Sequence, residues 1–459
     1  MWTKFFFTAL VVAVVVLSAP RSLATNISFQ GLGFLAGGAP ESEANAVSAD
    51  GSVVVGSSGS GLGSFEAFRW TASGGMVGLG VLPGMGMESQ ANGVSADGSV
   101  VVGSRTTLPG QFQAYRWTQA GGMVNLGNNS RHAYGVSADG AVVVGERRSR
   151  GDFEAFRWTE TTGVVGLGFL PHLPEWSPTS YAFGVSADGA AIVGSSISSS
   201  SQVAFRWTDA NKMIGLGDLI GGSVHSGARA ASSDGSVIVG YGNSSSGQEA
   251  FRRMGGVMSG LGDLPGGIFR SIATSVSADG SVVVGSSTTD IGSEAFVWDA
   301  LSGMRNLKSV LTDGGLDLAG WTLTNARGVS TDGRTIVGVG VNPTGQTEAW
   351  RAVWTLGPPK LAGDFNGDLV VDAADYPVWR NGFGSSFTEQ DYHDWKANFG
   401  ANLNGAAAGA STNTAAIPEP TRGAILIVSL ALIGLYFRCA WPGRAAAFNK
   451  KETASCTVP

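Results

Sequence analysis

The chain has 459 residues, a net charge of −6 and 70 glycines, about twice the usual share, with only 14% charged residues. Such a composition argues against long helices as the main architecture. It also lacks the basic footprint of a nucleic-acid binder, so no nucleic-acid partner is expected. The two cysteines, Cys439 and Cys456, both lie near the C-terminus, so disulfides do not brace what precedes them.

The N-terminus begins with a short basic segment, Met1–Lys4, and an apolar run, Phe5–Leu17, followed by Ser22-Leu23-Ala24. Small residues at the two positions a signal peptidase reads predict a signal peptide over 1–24 and export of the rest.

The next signal is repetition. V-S-A-D-G-S-V-V-V-G runs from Val47 to Gly56 and again from Val94 to Gly103. Related copies place an Asp before Gly at Asp50, Asp97, Asp139, Asp188, Asp234, Asp279 and Asp332. Seven units of roughly 40–50 residues have the period of propeller blades. Each unit holds four short apolar segments. They are A-x-(small)-V, the V-V-V-G run, E-A-F-R-W-T (Glu66–Thr71) and G-M-V-G-L-G (Gly75–Gly80). Turn residues separate them, as between antiparallel strands. Alternation sets Phe68 and Trp70 on one face of strand three and Ala67 and Arg69 on the other, a pattern that stacks blades. Arg69, Arg116, Arg157 and Arg206 are expected to bond between blades. G-L-G-F-L-A-G-G (Gly31–Gly38) reads as a fourth strand with no blade before it, while the seventh unit stops after its third strand. Pairing the two would remove two sheet edges. The expected fold is an all-β, closed, seven-bladed β-propeller over 29–357. The E-A-F-R-W-T, G-V-S-A-D-G and G-L-G-x-L-P-G-G copies resemble the HAF family of extracellular bacterial repeats, a likeness that implies surface modules and no reaction.

With strands in order one to four, the Asp-Gly turns share one face. The variable loops, those joining strands two to three and each blade to the next, share the other. Loop-borne residues are where binding usually resides. The candidates are Arg131, His132, Arg147, Arg148, Arg150, His172, Glu175, Trp176, His225, Phe269 and Arg270. An aromatic and basic mouth of this kind suits an acidic polysaccharide or a protein. His132, His172 and His225 enter successive blades without the spacing of a metal motif.

D-F-N-G-D-L-V-V-D-A-A-D (Asp364–Asp375) carries oxygen ligands at calcium-loop offsets: Asp364, Asn366, Asp368, the Val370 carbonyl, Asp372 and Asp375. Leu369 stands where the turn glycine is expected. Two aromatic helical stretches follow, the second ending at Gly400. The segment 361–402 resembles a dockerin type I module, in which an Asp at position twelve is normal. The resemblance implies bound Ca²⁺ and a cohesin-like partner, although the second half has lost its calcium loop.

Residues 403–417 form a low-complexity linker. Pro418-Glu419-Pro420, an apolar segment over 423–437 and a basic tail follow. This resembles the PEP-CTERM sorting signal, which implies processing by an exosortase. The 423–437 run is expected to be a transmembrane helix with its basic tail in the cytoplasm. The whole reads as an exported cell-surface protein with a non-catalytic module that binds extracellular glycan or protein. The alternatives are an extracellular polysaccharide-acting hydrolase and a scaffold component assembled through the dockerin-like module.

Overall fold

The computed structural model describes residues 27–354 apart from 62–63, 81–87, 109, 128, 150, 173–176 and 199–200. It further describes 363, 365, 370–383 and 388–400. The expected signal peptide, linker and C-terminal membrane segment lie outside the described residues. Among the described residues no helix is long and apolar enough to cross a membrane. The chain divides into two units, Met1–Leu356 and Gly357–Pro459.

The first unit contains seven four-stranded antiparallel sheets. In blade 1 the strands are Ser42–Val47, Val53–Gly59, Phe65–Thr71 and Gly75–Gly78, paired in chain order. Blades 2 to 6 repeat that order over 89–125, 130–166, 180–217, 227–260 and 271–306, and the three later strands of blade 7 cover 322–353.

The repeated Asp-Gly is a hydrogen-bonded turn. Ser48 Oγ donates to Asp50 Oδ1 at 2.7 Å and accepts from the Val53 amide at 2.9 Å. Asp50 Oδ1 also accepts from the Ser52 amide at 2.9 Å. The same three bonds recur at Ser95/Asp97, Ser137/Asp139, Ser186/Asp188, Ser232/Asp234, Ser277/Asp279 and Ser330/Asp332. The glycine of each turn takes a φ between 67° and 74°, which an L side chain rarely adopts. A Cβ on Gly98 would also strike Val53 of the preceding blade. These turns bond to one another around the axis. Ala49 donates to Ala96, then Ala96 to Ala138, Ala138 to Ala187, Ala187 to Ser233, Ser233 to Ala278, Ala278 to Thr331, and Thr331 back to Ala49, all at 2.9–3.1 Å. The ring is therefore closed.

Seven apolar cores fill the spaces between neighbouring blades. Phe68 and Trp70 pack on Val337 and Ala349 of blade 7, while Ala67, on the opposite face of the same strand, packs toward Ala91, Val101 and Tyr115 of blade 2. Large residues thus meet small ones across the interface, the complementarity that close packing requires. The strand-three arginines act between blades, as expected for Arg69 and Arg116. Arg69 Nε donates to the Gly98 carbonyl at 3.2 Å and Arg116 Nε to that of Gly140 at 3.3 Å. Arg157 and Arg206 show no such bond to the next turn. In blade 6 Val297 holds the arginine position, and the Trp354 indole takes the Gly333 carbonyl at 2.7 Å instead.

The closing strand is Ser28–Gly31, paired with Thr347–Val353 from Ser28↔Val353 to Gly31↔Trp350. This differs in detail from the sequence expectation. Gly31 ends the strand, and the rest of Gly31–Gly38 forms the connection into blade 1. In that connection Gly33 has a φ of 75° and its amide donates to Glu348 Oε1 at 2.9 Å. A helix the repeat pattern does not reveal, Leu307–Asp313, fills the longer sixth connection and buries Leu307 and Leu311 in the core between blades 6 and 7. The Asn306 side chain caps it by accepting from the Ser309 amide.

In the second unit, helices Asp375–Gly382 and Glu389–Asn398 form where the two aromatic stretches stand. Thr388 and Asp391 make a reciprocal capping box at the start of the second. Tyr376, Trp379, Tyr392 and Trp395 pack together at 4.8–5.6 Å between neighbouring ring centroids.

Candidate functional site

Strand one of every blade runs along the axis. In A-x-(small)-V the position marked x faces the central channel. Its seven occupants are Asn45, Asn92, Tyr134, Phe183, Arg229, Thr274 and Arg327, which line a space of about 250 Å³ with their small neighbours. The repeat keeps the flanking residues small so that seven strands can crowd together, and leaves x free to vary.

Rings continue outward from this channel without a break. Phe112 lies 4.6 Å from His132, His132 stacks on Tyr134 at 5.8 Å with 9° between planes, and Tyr134 meets Phe183 at 5.3 Å. Phe183 stacks on Tyr181 at 6.0 Å, and Tyr181 reaches Phe153 at 6.2 Å. Arg131 lies over Phe112 at 5.5 Å and over Phe153 at 4.9 Å. Arg229 lies over Phe183 at 4.4 Å and Tyr241 at 5.4 Å. Stacked guanidinium and aromatic faces of this kind hold one another in place. Two recesses open on the same side and share Phe112. One of about 300 Å³ includes Gln90, Arg105 and His132, and one of about 490 Å³ includes Arg131 and Arg148.

The electrostatics of the site follow from burial. Glu146 is 5% exposed, with Arg131 Nε 3.4 Å and His132 Nε2 3.8 Å from its carboxyl. Burial raises the Glu146 pKa, against the pull of Arg131. Burial, assisted by the Arg131 charge, lowers His132 to about 4, so at neutral pH this imidazole is an uncharged ring. Tyr134 is pushed up by burial and by Glu146 and remains a phenol.

Of the residues singled out in the sequence, Arg131 and His132 stand at the centre of this array. Arg147 pairs with Glu154 at 2.8 Å and Arg148 lines the larger recess. His225 touches the far end, 5.7 Å from Tyr241, with its amide bonded to Asp218. His172, Phe269 and Arg270 stand apart. His172 Nδ1 lies 3.2 Å from the Leu170 carbonyl, and Arg270 Nε donates to Gln248 at 3.1 Å. Arg150, Glu175 and Trp176 lie outside the described residues. Phe112, Tyr134, Phe153, Tyr181, Phe183 and Arg229 were not among the sequence candidates. The one variable letter of the innermost strand finds three of them, Tyr134, Phe183 and Arg229. Phe112 and Phe153 stand near the start of third strands, and Tyr181 just before the motif of the innermost strand in blade 4.

In the second unit, Val370, Asp372 and Asp375 of the acidic loop are described, while Asp364, Asn366 and Asp368 are not. Asp375 is fully buried, and its carboxylate accepts from the Phe365 and Asp372 amides, each at 2.8 Å. The Asp372 carbonyl accepts from the Trp395 indole at 2.8 Å. Among the described residues no group of three His, Cys, Asp or Glu is placed to hold a metal.

Comparison with protein families and with curated proteins finds no match. Solved structures give distant likenesses. An oligogalacturonate lyase in complex with manganese is 15% identical, covering 73% of this chain and 95% of the other, with a TM-score of 0.44. The β-propeller domain of the trilobed protease of Pyrococcus furiosus is 11% identical, covering 65% and 89%, with a TM-score of 0.42. TolB from Acinetobacter baumannii is 14% identical with a TM-score of 0.37, and the match covers 51% of this chain and only 57% of that protein. At these scores the likenesses carry no argument about activity, and the closed hydrogen-bonded ring itself establishes the seven-bladed propeller.

Proposed function

We propose that the chain is an exported, non-catalytic surface module that binds an extracellular glycan across the aromatic mouth of the propeller. The observation that supports this reading is the unbroken run from Phe112 through His132, Tyr134, Phe183 and Tyr181 to Phe153. Sugar rings present apolar C–H faces that pack on aromatic faces, and polar groups at the rim fix their orientation. The test is to probe a glycan array with the full chain. Binding to one or more extracellular polysaccharides is expected, and an array silent throughout would overturn the reading. A hydrolase would need two carboxyl groups flanking a sugar. Glu146, the buried carboxylate beside the rings, is engaged by Arg131. Release of reducing sugar from a bound polysaccharide would replace the binder with the hydrolase.

For the second unit we propose a dockerin-like module holding one Ca²⁺ through Asp364, Asn366, Asp368, the Val370 carbonyl, Asp372 and Asp375. The spacing of oxygen donors along Asp364–Asp375, together with the burial of Asp375, supports this. The C-terminal segment would serve for sorting and anchoring. Elemental analysis of the purified chain should find one calcium per molecule, and its absence would sink the assignment.

A further inference from the structure

We infer that Arg229 is a carboxylate-binding anchor at the channel mouth, so that the polysaccharide held there is a uronate. This deepens the glycan-binding reading and rests on it. The channel lining contains two arginines and no acidic residue. Arg327 is already neutralised, with Nη1 2.7 Å from Glu43 Oε2 and 2.6 Å from Asn45 Oδ1. Arg131 is likewise set against Glu146. Arg229 forms no ion pair among the described residues. It is half-buried and carries the uncompensated charge of the channel in a protein whose net charge is −6.

The geometry specifies what would neutralise it. Phe183 at 4.4 Å and Tyr241 at 5.4 Å pack against the guanidinium. Stacking uses the faces of a guanidinium and leaves its N–H donors pointing outward in the plane. That fork matches a carboxylate through two parallel bonds. The two flanking rings also restrict the space open to the group, which reduces the ordering cost on binding. Phe183 belongs both to this stack and to the ring series, so a sugar lying on Tyr134 and Phe183 has its substituents beside Arg229. The channel holds about 250 Å³, enough for one unit or the end of a chain and too little for a folded partner.

The experiment is calorimetric titration of the full chain with alginate, a uronate polymer, with its carboxyl-reduced neutral derivative, and with polyglutamate. The wild type is expected to bind alginate about tenfold or more tightly than the neutral derivative, the effect of one charge-assisted contact. Arg229→Gln should bind both sugar polymers alike, at the level of the neutral one, which also shows that the variant is folded. Phe112→Ala should weaken both polymers together. Equal wild-type affinity for the two sugar polymers, or retained preference in Arg229→Gln, overturns the anchor while leaving glycan binding intact. If neither sugar polymer binds, the uronate assignment fails, and glycan binding itself falls only if the array is silent as well. Polyglutamate binding in place of alginate overturns the uronate assignment.

Discussion

The amide of Thr331 donates to the carbonyl of Ala49 at 3.0 Å, joining the Asp-Gly turn of the last blade to that of the first. The same join is made a second time farther out, where Ser28–Gly31 pairs with the third strand of blade 7. Phe29 supports the outer join, with Trp321 at 5.0 Å and Trp350 at 6.2 Å. Phe29→Ala should cost about 2–3 kcal/mol, at or below the lower limit of about 3 kcal/mol for a fully buried aromatic, because Phe29 is only half-buried. Chemical denaturation should show the loss as a lower midpoint. An unchanged midpoint would mean that the closing strand contributes little beyond the axial ring.

Two glycines with similar backbone angles should respond differently to alanine. Gly98 has a φ of 71° and its Cβ would meet Val53 of the previous blade, whereas Gly110 has a φ of 76° and open space around it. Gly110→Ala should cost about 1 kcal/mol for the left-handed conformation alone. Gly98→Ala adds overpacking at a blade interface and should cost about 2–4 kcal/mol. Equal losses in urea melts would remove the steric role assigned to the turn glycine.

His132 predicts a pH dependence with a definite sign. Its pKa falls from 6.5 in the unfolded chain to about 4 in the fold, first because of burial and then because of Arg131. A depressed pKa gives a contribution that is fully present above pH 6.5 and is lost as the pH falls through about 4. Relative to His132→Phe, the wild type should lose on the order of 2–3 kcal/mol across that window. Asp97 acts in a lower window. The Ser95 hydroxyl, then the Ser99 amide, lower it from 3.8 to about 2, so its contribution is present above pH 3.8 and is lost toward pH 2. Denaturation midpoints of the wild type, His132→Phe and Asp97→Asn between pH 7 and 2 should separate the two windows. A wild type that tracks His132→Phe throughout would contradict the first.

The blades were legible in the sequence because their decisive contacts are local. Ser48, Asp50, Ser52 and Val53 bond within five residues, so the motif is its own evidence wherever it recurs. Ring closure was legible from unmatched ends, although the pairing strand ends where Gly31–Gly38 begins. The mouth was far less so. Its rings come from residues 112 to 183, and no two neighbouring blades carry the same pair. Loop position drew attention to His172 and Arg270, which stand apart from the array. Tyr134, Phe183 and Arg229 lie inside a strand whose constant letters are small, so a consensus passes over them. The helix Leu307–Asp313 was hidden for a related reason: it is an insertion present in one connection only.

That contrast supplies a prediction about binding. If the ring series is the glycan platform, Phe112→Ala and Tyr181→Ala should each weaken alginate binding by about tenfold, as expected when a central aromatic contact is truncated. His172→Ala and Arg270→Ala should leave the affinity within about twofold, because surface contacts away from the centre of an interface contribute little. Both pairs lie on the same face of the propeller, so general loss of that face would affect them equally. Only a platform confined to blades 2 to 4 separates them. Titration of the four variants decides the matter, and a larger loss at His172 or Arg270 than at Phe112 would move the site to the loops of blades 4 to 6.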